Sequence, residues 1–429
     1  MAILTRCRAP LLAAAWFCLL AADSGVAAEL TVQAGQSIAA AIAQASPGDV
    51  IRVEKGYYQE QLVIDKPLTL KGIDRPTLSG GFKGDTIRIT AEDVVVDGLI
   101  VRDSGDELID QNAGIFIKPG AHRAAVRNCD LTYNLFGIYI QTVKNVEIRN
   151  NVITGKRDYR SPRRGNGIQL YNTEGAQIIG NNISFVRDGI YVDVSHHAVF
   201  RNNRIHHSRY GTHYMNSHYN VWEGNDSFHN RGGLALMMTR HQVVRNNRAW
   251  GNSDHGIMLR TIQDSVIEGN IVAGNERGFF IYDAEYNTLR NNLIVDNTTG
   301  VHLAAGSIHN QVAGNDFISN RTQIKYVASQ DVIWGKGRGN YWSNYVGWDR
   351  NGDGIGDVQY EANDLVDRLS WQHPMMKLLL ASPAVQTLRL VSHQFPLLRA
   401  PSVVDPIPVM QPYQSDWGQW RSRYFHYAN

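Results

Sequence analysis

The sequence has few cysteines: three in 429 residues, of which Cys7 and Cys18 lie in the first 28. Residues 1–28 combine two early arginines, an apolar run and a small-residue end, which predicts a secretory signal cleaved after Ala28. Removal of this signal leaves Cys129 as the single cysteine of an exported chain. Internal disulfides are therefore excluded as a source of its stability.

Net charge is also small, at +2 at pH 7 for the whole chain. A near-neutral chain of this size lacks the basic surface that nucleic acid binding requires, so nucleic acid is excluded as a partner. One segment, residues 155–166 (the basic loop), carries five basic residues against one acidic residue. Its Arg157, Arg163 and Arg164 are candidates to contact an acidic partner or a lipid surface, and a plain solvated loop is the alternative.

A glycine recurs with a period near 22 residues through the middle of the chain. Successive glycines are 22 or 23 residues apart, except for one gap of 30 that contains the basic loop. The column consists of Gly114, Gly137, Gly167, Gly189, Gly211, Gly233, Gly256, Gly278 and Gly300. An asparagine column keeps the same phase, with Asn151, Asn182, Asn203, Asn225, Asn247, Asn270, Asn292 and Asn315. A period of this length indicates stacked structural repeats, that is, a solenoid.

Each repeat has room for three short strands and no long helix. The residues one and three places after each glycine are apolar, as in Gly189-Ile-Tyr-Val, whereas the alternate positions vary. This alternation is typical of a strand with one buried face. Two further apolar pairs per repeat, such as Val266-Ile267 and Ile271-Val272, predict two more strands. We therefore expect an all-β fold, a parallel β-helix with about 22 residues per coil, over residues 29–340.

Stacked coils about 4.8 Å apart place equivalent residues in ladders. A buried asparagine at a corner can bond the amides above and below it, which accounts for the asparagine column. Cys129 occupies that column and is expected to be a small buried core residue. Residues 36–45 predict a short amphipathic helix with Ser37 as its N-cap, which closes the N-terminal end of the solenoid.

Histidine and methionine are concentrated on a few neighbouring coils. Nine of the 15 histidines lie between His196 and His255, and four of the eight methionines lie between Met215 and Met258. Any one of these histidines can be explained as an exposed polar residue. The cluster as a whole favours a metal site.

Stacking brings four of these side chains to one outer face. His213 and Met215 are two residues apart on one strand and so share a face. Met237 is expected one turn above Met215, and Met258 two turns above His213. Thioethers with imidazole form a soft ligand set that suits Cu(I), whereas zinc prefers thiolate, imidazole or carboxylate. We therefore predict a copper site at these four residues.

An enzyme acting on acidic polysaccharides is the rival hypothesis, because β-helices often serve that chemistry. The same face carries aromatic side chains, as a sugar groove does, and Tyr191, Asp193, His213 and Arg260 are candidates for acid–base catalysis. No paired carboxylates stand on neighbouring turns, and methionines occupy the centre of the face. A glycan-binding module without turnover is a third hypothesis.

A different metal pattern follows the solenoid, in the segment 341–369. Oxygen-bearing side chains alternate with glycine at Asp349, Asn351, Asp353 and Asp357, which resembles the first nine positions of a calcium loop. The glutamate expected at the twelfth position is missing, because Tyr360 stands there. A structural Ca²⁺ clip and a plain acidic turn are the two interpretations.

The last segment, residues 370–429, begins strongly apolar and continues rich in proline. No stretch in it reaches the roughly 20 apolar residues that cross a bilayer. It is expected either to cap the solenoid or to dock on a partner. Trp417 and Trp420 near the end favour an interface.

The segments of the chain follow in this order: the leader, the glycine and asparagine coils, the run Gly339-Asn-Tyr-Trp-Ser-Asn-Tyr345 and the acidic loop. In this order the chain resembles the NosD family over essentially its whole length. The resemblance implies a right-handed parallel β-helix in the periplasm that is not itself an enzyme. It implies partners as well: an ABC-type ATPase with its membrane subunit, through which any membrane contact is made, and a copper chaperone lipoprotein. The implied role is maturation of the copper centres of apo nitrous oxide reductase. The ligand assignment at His213 and the three methionines does not come from the family.

Overall fold

The computed structural model describes residues 27–304, 306–326, 330–363, 365–379, 382–394 and 401–420. Residues 1–26 of the predicted secretory signal lie outside the described residues. The described chain forms a parallel β-solenoid of about 14 turns with about 22 residues per turn, which confirms the predicted fold class. Each turn passes in order through three sheets that run the length of the solenoid.

The first sheet has 13 parallel strands and starts the solenoid. Its strands are Glu29–Val32, Val50–Val53, Thr69–Gly72, Val95–Asp97, Ala125–Arg127, Glu147–Arg149, Gln177–Ile179, Val199–Arg201, Val221–Glu223, Val243–Arg245, Val266–Glu268, Thr288–Arg290 and Gln311–Ala313.

The second sheet also has 13 strands. They are Tyr57–Gln59, Thr77–Ser79, Ile100–Arg102, Asp130–Asn134, Val152–Gly155, Asn182–Ser184, Arg204–His206, Asp226–Phe228, Arg248–Trp250, Ile271–Ala273, Leu293–Val295, Asp316–Ile318 and Tyr341–Trp342.

The third sheet has 12 strands and contains the glycine column. Its strands are Leu62–Ile64, Ile87–Ile89, Ala113–Ile117, Phe136–Gln141, Ile168–Tyr171, Asp188–Asp193, Tyr210–Met215, Gly232–Arg240, His255–Gln263, Arg277–Tyr282, Thr299–Leu303 and Thr322–Tyr326. Two of these strands, Gly232–Arg240 and His255–Gln263, reach nine residues. They lie in the region rich in histidine and methionine.

The interior is a column of stacked apolar side chains, because alternate residues of every strand point inward. On the third sheet, Leu234 and Ile257 are paired in register and are fully buried. Phe200 stacks on Trp222 of the next turn with ring centroids 3.8 Å apart. Burial of one continuous core by neighbouring turns is what stabilises a solenoid.

Buried asparagines form a ladder at the corner between the first and second sheets. Asn247, for example, donates its backbone N–H to Oδ1 of Asn270 at 3.0 Å and its side-chain Nδ2 to the carbonyl of Trp222 at 2.9 Å. The predicted column is confirmed except at one place: the ladder member is Asn181, which is 1% exposed, and not its exposed neighbour Asn182. Cys129 is buried in the ladder as expected, and burial raises the pKa of its thiol to about 12.

A second asparagine ladder lies at the corner between the second and third sheets, and the sequence pattern did not reveal it. It comprises Asn230, Asn252, Asn275, Asn297 and Asn320.

The N-terminal end is closed by the helix Ile38–Gln44. The Ser37 side chain caps it by accepting the N–H of Ala40 at 3.1 Å, as predicted. Ile38 and Ile42 are its buried face. The helix therefore covers the open end of the core.

At the C-terminal end a small sheet forms from Val332–Ile333, Val403–Asp405 and Tyr360–Glu361, with Val403–Asp405 in the middle. The Asp405 carboxylate accepts the Nε1–H of Trp342 at 3.0 Å and so ties the last segment to the solenoid. The other described helices are Leu365–Gln372 and Pro383–Gln394, with short 3₁₀ turns at Ser161–Arg163 and Pro374–Leu379. Among the described residues, no helix has the length and apolar composition needed to cross a membrane.

Candidate copper site

Three of the predicted ligands meet on the outer face of the third sheet. Met237 and Met258 form a buried cluster with Ala235, and Met215 packs against it. Each of the two buried methionines is 8% exposed. The register places Ala235 between His213 below and Met258 above, which is the stacking that the repeat predicts. The thioethers are thus close to one another and close to the surface.

His213 lies at the edge of this cluster and is anchored by an acidic residue that the sequence analysis did not single out. Its Nδ1 is 3.1 Å from Oδ2 of Asp188, whose side chain is 1% exposed. Arg209 also donates to Asp188, from Nε at 2.8 Å. Burial alone would raise the pKa of Asp188, but hydrogen bonds from His213 and Arg209 outweigh burial and hold that pKa below its ordinary value. Asp188 is therefore an ionised, buried carboxylate.

This contact determines which imidazole nitrogen is available. An ionised carboxylate is the strongest acceptor near Nδ1, so we assign the His213 proton to Nδ1, donated to Asp188. Nη2 of Arg209 also lies 3.2 Å from Nδ1, but it already donates to the same carboxylate. The Nε2 lone pair of His213 is then free to bind a metal, an arrangement common in metalloproteins.

The neighbouring histidines on the corner after this sheet are arranged in the opposite way. Nδ1 of His196 accepts the backbone N–H of His218 at 3.0 Å, and Nδ1 of His218 accepts that of Arg240 at 3.2 Å. Their protons must therefore be on Nε2, the nitrogen that faces away from the backbone. These imidazoles satisfy backbone amides and are poor metal ligands as they stand.

His206, His207 and His229 lie on a different side of the molecule, along the second sheet. His206 stacks on Phe228 with ring centroids 4.9 Å apart. Across the described chain, no group of three or more His, Cys, Asp or Glu side chains is arranged to hold a metal ion.

The residues directly before the column glycines form a further column on the outer face of the third sheet. They point to the same face as the residues two places after each glycine, and the sequence pattern did not reveal them. The column contributes Asp188, Tyr210, Gly232 and His255 on successive turns. Two small residues of one turn, Gly232 and Ala235, therefore lie between larger side chains on the turns below and above. The doubled Gly232-Gly233 is the sequence signal that could have revealed this gap.

The residues of the rival catalytic grouping are brought together only in part. The ring of Tyr191 meets that of His213 edge-on at 5.0 Å. Asp193 and Arg260 occupy one column but are three turns apart, with Met215 and Met237 between them. Oδ1 of Asp193 instead accepts Nδ2 of Asn216 at 3.1 Å.

The arginines of the basic loop make contacts within their own chain. Arg157 lies over the ring of Phe185 at 4.1 Å, and Arg163 lies over that of Tyr159 at 4.8 Å. Arg164 donates to the carbonyls of Tyr159 and Arg157 at 2.8 and 2.9 Å. Partner binding by these arginines stays a prediction.

The acidic loop is held by its own backbone. Asp349 accepts the N–H groups of Gly352 and Gly354 at 2.7 and 2.8 Å, and Asp357 accepts that of Arg350 at 2.8 Å. Asn351 Oδ1 accepts the N–H of Asp353 at 3.1 Å. In this conformation the oxygens accept backbone amides, and these bonds leave further lone pairs on the carboxylates.

Trp417 and Trp420 lie half-buried against the second sheet, where they pack onto a cluster that includes Trp250 and Val295. Asp316 fixes the approach of this segment by accepting the N–H groups of Tyr413 and Gln414 at 3.0 and 2.9 Å. This intramolecular contact lies along the second sheet, and a capping role of the tail stays a prediction. A role of the two tryptophans in partner binding stays a prediction.

Together, the fold and the site define a parallel β-solenoid protein with a thioether–imidazole face on one sheet. A family model described as periplasmic copper-binding protein (NosD) matches residues 149–347, and a model of a protein family of unknown function, DUF1565, matches residues 32–227.

Two curated relatives are each named probable ABC transporter binding protein NosD. One, from Pseudomonas aeruginosa, is 40% identical over 83% of this chain and 87% of its own length. The other, from Stutzerimonas stutzeri, is 38% identical over 84% and 86%. The chain belongs to the NosD family.

Solved structures share the fold at low identity. The A-module of the Azotobacter vinelandii mannuronan C-5 epimerase AlgE6 matches with a TM-score of 0.52 at 15% identity, over 69% of this chain and 90% of that one. A Yersinia enterocolitica family 28 exopolygalacturonase matches with a TM-score of 0.51 at 10% identity, over 72% and 77%. At this level of identity the likeness concerns the solenoid architecture alone.

Proposed function

We propose that this protein is a non-catalytic periplasmic scaffold that binds Cu(I) on the third sheet and relays it for assembly of the copper centres of nitrous oxide reductase. The observation that carries the proposal is the cluster of Met215, Met237 and Met258 beside His213, whose proton is held by Asp188. Thioethers and a neutral imidazole are soft donors that favour Cu(I) over harder divalent ions.

The chemistry of the donors suits transfer of the ion. Thioethers are uncharged and bind without losing a proton, so loading and release require no change in methionine protonation. The one buried thiol, Cys129, lies in the corner ladder and stays protonated at neutral pH because burial raises its pKa to about 12. A tight thiolate ligand is therefore absent from the described chain, which suits a carrier.

The partners follow from the family. The names of the two relatives support an association with an ABC transporter, here an ABC-type ATPase and its membrane subunit. A copper chaperone lipoprotein as donor and apo nitrous oxide reductase as acceptor belong to the same proposal. Export by a cleaved signal would place the chain beside them in the periplasm, and membrane contact would be made through the membrane subunit.

Anaerobic Cu(I) titration against a competing chelator tests the proposal. Replacement of Met215, Met237 and Met258 by leucine is expected to lower the Cu(I) affinity at least tenfold, because leucine preserves the apolar volume and removes the sulfur. Met238→Leu is the matched control, since Met238 is 44% exposed and lies outside the cluster on the same strand. Unchanged affinity and unchanged reductase maturation in the triple variant would contradict the proposal.

A polysaccharide lyase, epimerase or hydrolase, or a glycan-binding module, is the alternative. The contacts of His213 with Asp188 and Tyr191 favour an enzyme, since they resemble an acid–base arrangement. Turnover of uronate polymers that is lost in His213→Ala or Asp193→Asn would support an enzyme. Glycan binding without turnover would support the module.

A Ca²⁺ clip at Asp349, Asn351, Asp353 and Asp357 is a separate proposal, supported by the alternation of oxygen side chains with glycine. A rise in Tm on addition of Ca²⁺ that disappears in Asp349→Asn would support it. An unchanged Tm would show that the loop's own N–H groups suffice.

A further inference from the structure

The imidazole of His255 is buried. His255 lies directly before Gly256 on the outer face of the third sheet and is 1% exposed. Within the described chain, neither ring nitrogen has a hydrogen-bond partner. Oδ2 of Asp254 lies 3.7 Å from Nδ1 of His255, which is longer than a hydrogen bond. A buried polar group without a hydrogen bond is destabilising, so this imidazole needs an explanation.

The space for the imidazole comes from the turn below. His255 pairs in register with Gly232, and a Cβ at position 232 would lie only 2.5 Å from Nε2 of His255. The same Cβ would lie 2.6 Å from Cδ1 of Tyr210, one turn further down. The glycine therefore lets the two rings meet, with centroids 5.6 Å apart. Any larger residue at position 232 would force His255 away from the face.

His255 is linked to the methionine cluster through Tyr210. It precedes Met258 by three residues on the same strand, and Tyr210 contacts both His255 and the cluster of Ala235, Met237 and Met258. Tyr210 also contacts His213, with ring centroids 5.4 Å apart. The ring of Tyr210 thus contacts both histidines and occupies, with the ring of His255, the space that Gly232 leaves.

The charges beside His255 compensate one another. Asp254 is paired with Arg277, and its Oδ2 lies 3.7 Å from Nδ1 of His255. Arg231 also approaches Asp254, at 3.9 Å. Asp254 is therefore shared among two arginines and the imidazole.

We propose that His255 is a further Cu(I) ligand, which joins His213 and the thioethers in a mixed nitrogen–sulfur site across the Gly232–Ala235 gap. This inference rests on the proposed copper function. It explains the absence of a hydrogen-bond partner, because a metal ion supplies the missing contact to a ring nitrogen. It also predicts that the unloaded site is held at a cost in stability, as functional sites often are.

The variant His255→Leu tests whether His255 is a copper ligand or a residue with a structural role only. Leucine removes the unsatisfied nitrogens, so the metal-free variant is expected to be at least as stable in urea as the wild type, while its Cu(I) affinity falls tenfold or more. X-ray absorption of the Cu(I)-loaded variant is expected to show one nitrogen scatterer fewer. His302→Leu is the control, because His302 lies on the same sheet, two turns above Met258. His255→Gln provides a second variant in case leucine disturbs packing.

The outcomes distinguish the two proposals. If the wild type binds Cu(I) and the triple methionine variant does not, but both His255 variants retain full affinity and nitrogen count, His255 is not a ligand and the copper function stands. If the wild type itself fails to bind Cu(I), the function and this inference both fall. Reduced affinity together with an intact nitrogen count would also overturn the inference.

Discussion

At the scale of single residues, the corners of the solenoid show why asparagine and glycine alternate. In the first ladder, the residue before each asparagine from Asn151 to Asn315 has a positive φ, which favours these two residue types. From residue 150 onward the types alternate along the column: Asn150, Gly180, Asn202, Gly224, Asn246, Gly269, Asn291 and Gly314. A Cβ on Gly269 would lie 2.5 Å from Oδ1 of Asn246, so the side chain of Asn246 as it is placed leaves no room for a Cβ at position 269.

This alternation predicts an asymmetric response to mutation. Gly269→Ala is expected to lower the free energy of unfolding by more than roughly 1–2 kcal/mol, the cost of placing an alanine in the left-handed conformation. The additional loss is expected because the new methyl group also contacts Asn246. Asn246→Gly is expected to change stability by less than about 1 kcal/mol. Urea unfolding measures both. Combining the two changes should restore part of the loss, and strictly additive effects would argue against the steric explanation.

Asp188 is expected to act on copper through His213. Asp188→Asn removes the charge that holds the Nδ1 proton, and loss of such a partner typically lowers metal affinity about 10–100-fold. The ¹⁵N chemical shifts of His213 would report the change of tautomer, which a purely structural role would not produce. Asp193→Asn is the matched control on the same strand, and an equal loss of Cu(I) affinity in the control would refute the assignment.

At the scale of the repeated element, the sequence pattern predicts three strands per coil and one asparagine ladder. At one position it places Asn182 in the ladder, where the structure has Asn181. Both Asn181 and Asn182 fit the pattern, and only the path of the corner decides which side chain turns inward. The second ladder, beginning at Asn230, has the same spacing of 22 or 23 residues, but unlike the first ladder its asparagines follow dissimilar residues, such as His229, Asp296 and Ser319. Asp188 and His255 were missed for a related reason: the irregular backbone at each glycine brings the preceding residue onto the outer face.

The ladder assignment can be checked with adjacent substitutions. Asn181→Ala removes bonds to the carbonyl of Ile148 at 2.9 Å and to Asn203 at 3.0 Å, and it leaves buried partners unsatisfied. A loss of about 3 kcal/mol is expected in urea unfolding. Asn182→Ala, one residue away and exposed, is expected to change stability by less than about 0.5 kcal/mol. Equal effects would contradict the ladder.

At the scale of the whole molecule, periodicity is sufficient to predict the solenoid and to bring the three methionines to one face, since both follow from stacking. The contacts that close the C-terminal end could not be predicted in this way. Asp405 reaches Trp342 across 63 residues, and Tyr413 reaches Asp316 across 97. Such long-range pairs have no period.

Stability is expected to fall as the pH decreases from about 6.5 to about 4. Burial lowers the pKa of His206 from 6.5 to about 4 and that of His302 likewise to about 4. The unfolded chain therefore binds more protons than the folded chain across this interval, which favours unfolding. The pKa of Asp188 is also lowered in the folded chain. Its protonation therefore reduces the stability further only below about pH 3.8, the ordinary pKa of an aspartate. Tm measured across this range should fall less steeply in His206→Gln, and an identical slope would contradict the explanation.

X-ray absorption at the copper edge of the anaerobically Cu(I)-loaded protein tests the central claim most directly. The soft face on the third sheet predicts sulfur and nitrogen scatterers around one copper ion, with the sulfur contribution lost when Met215, Met237 and Met258 are all leucine. Copper surrounded by nitrogen and oxygen alone, or a sulfur contribution that persists in the triple variant, would contradict it.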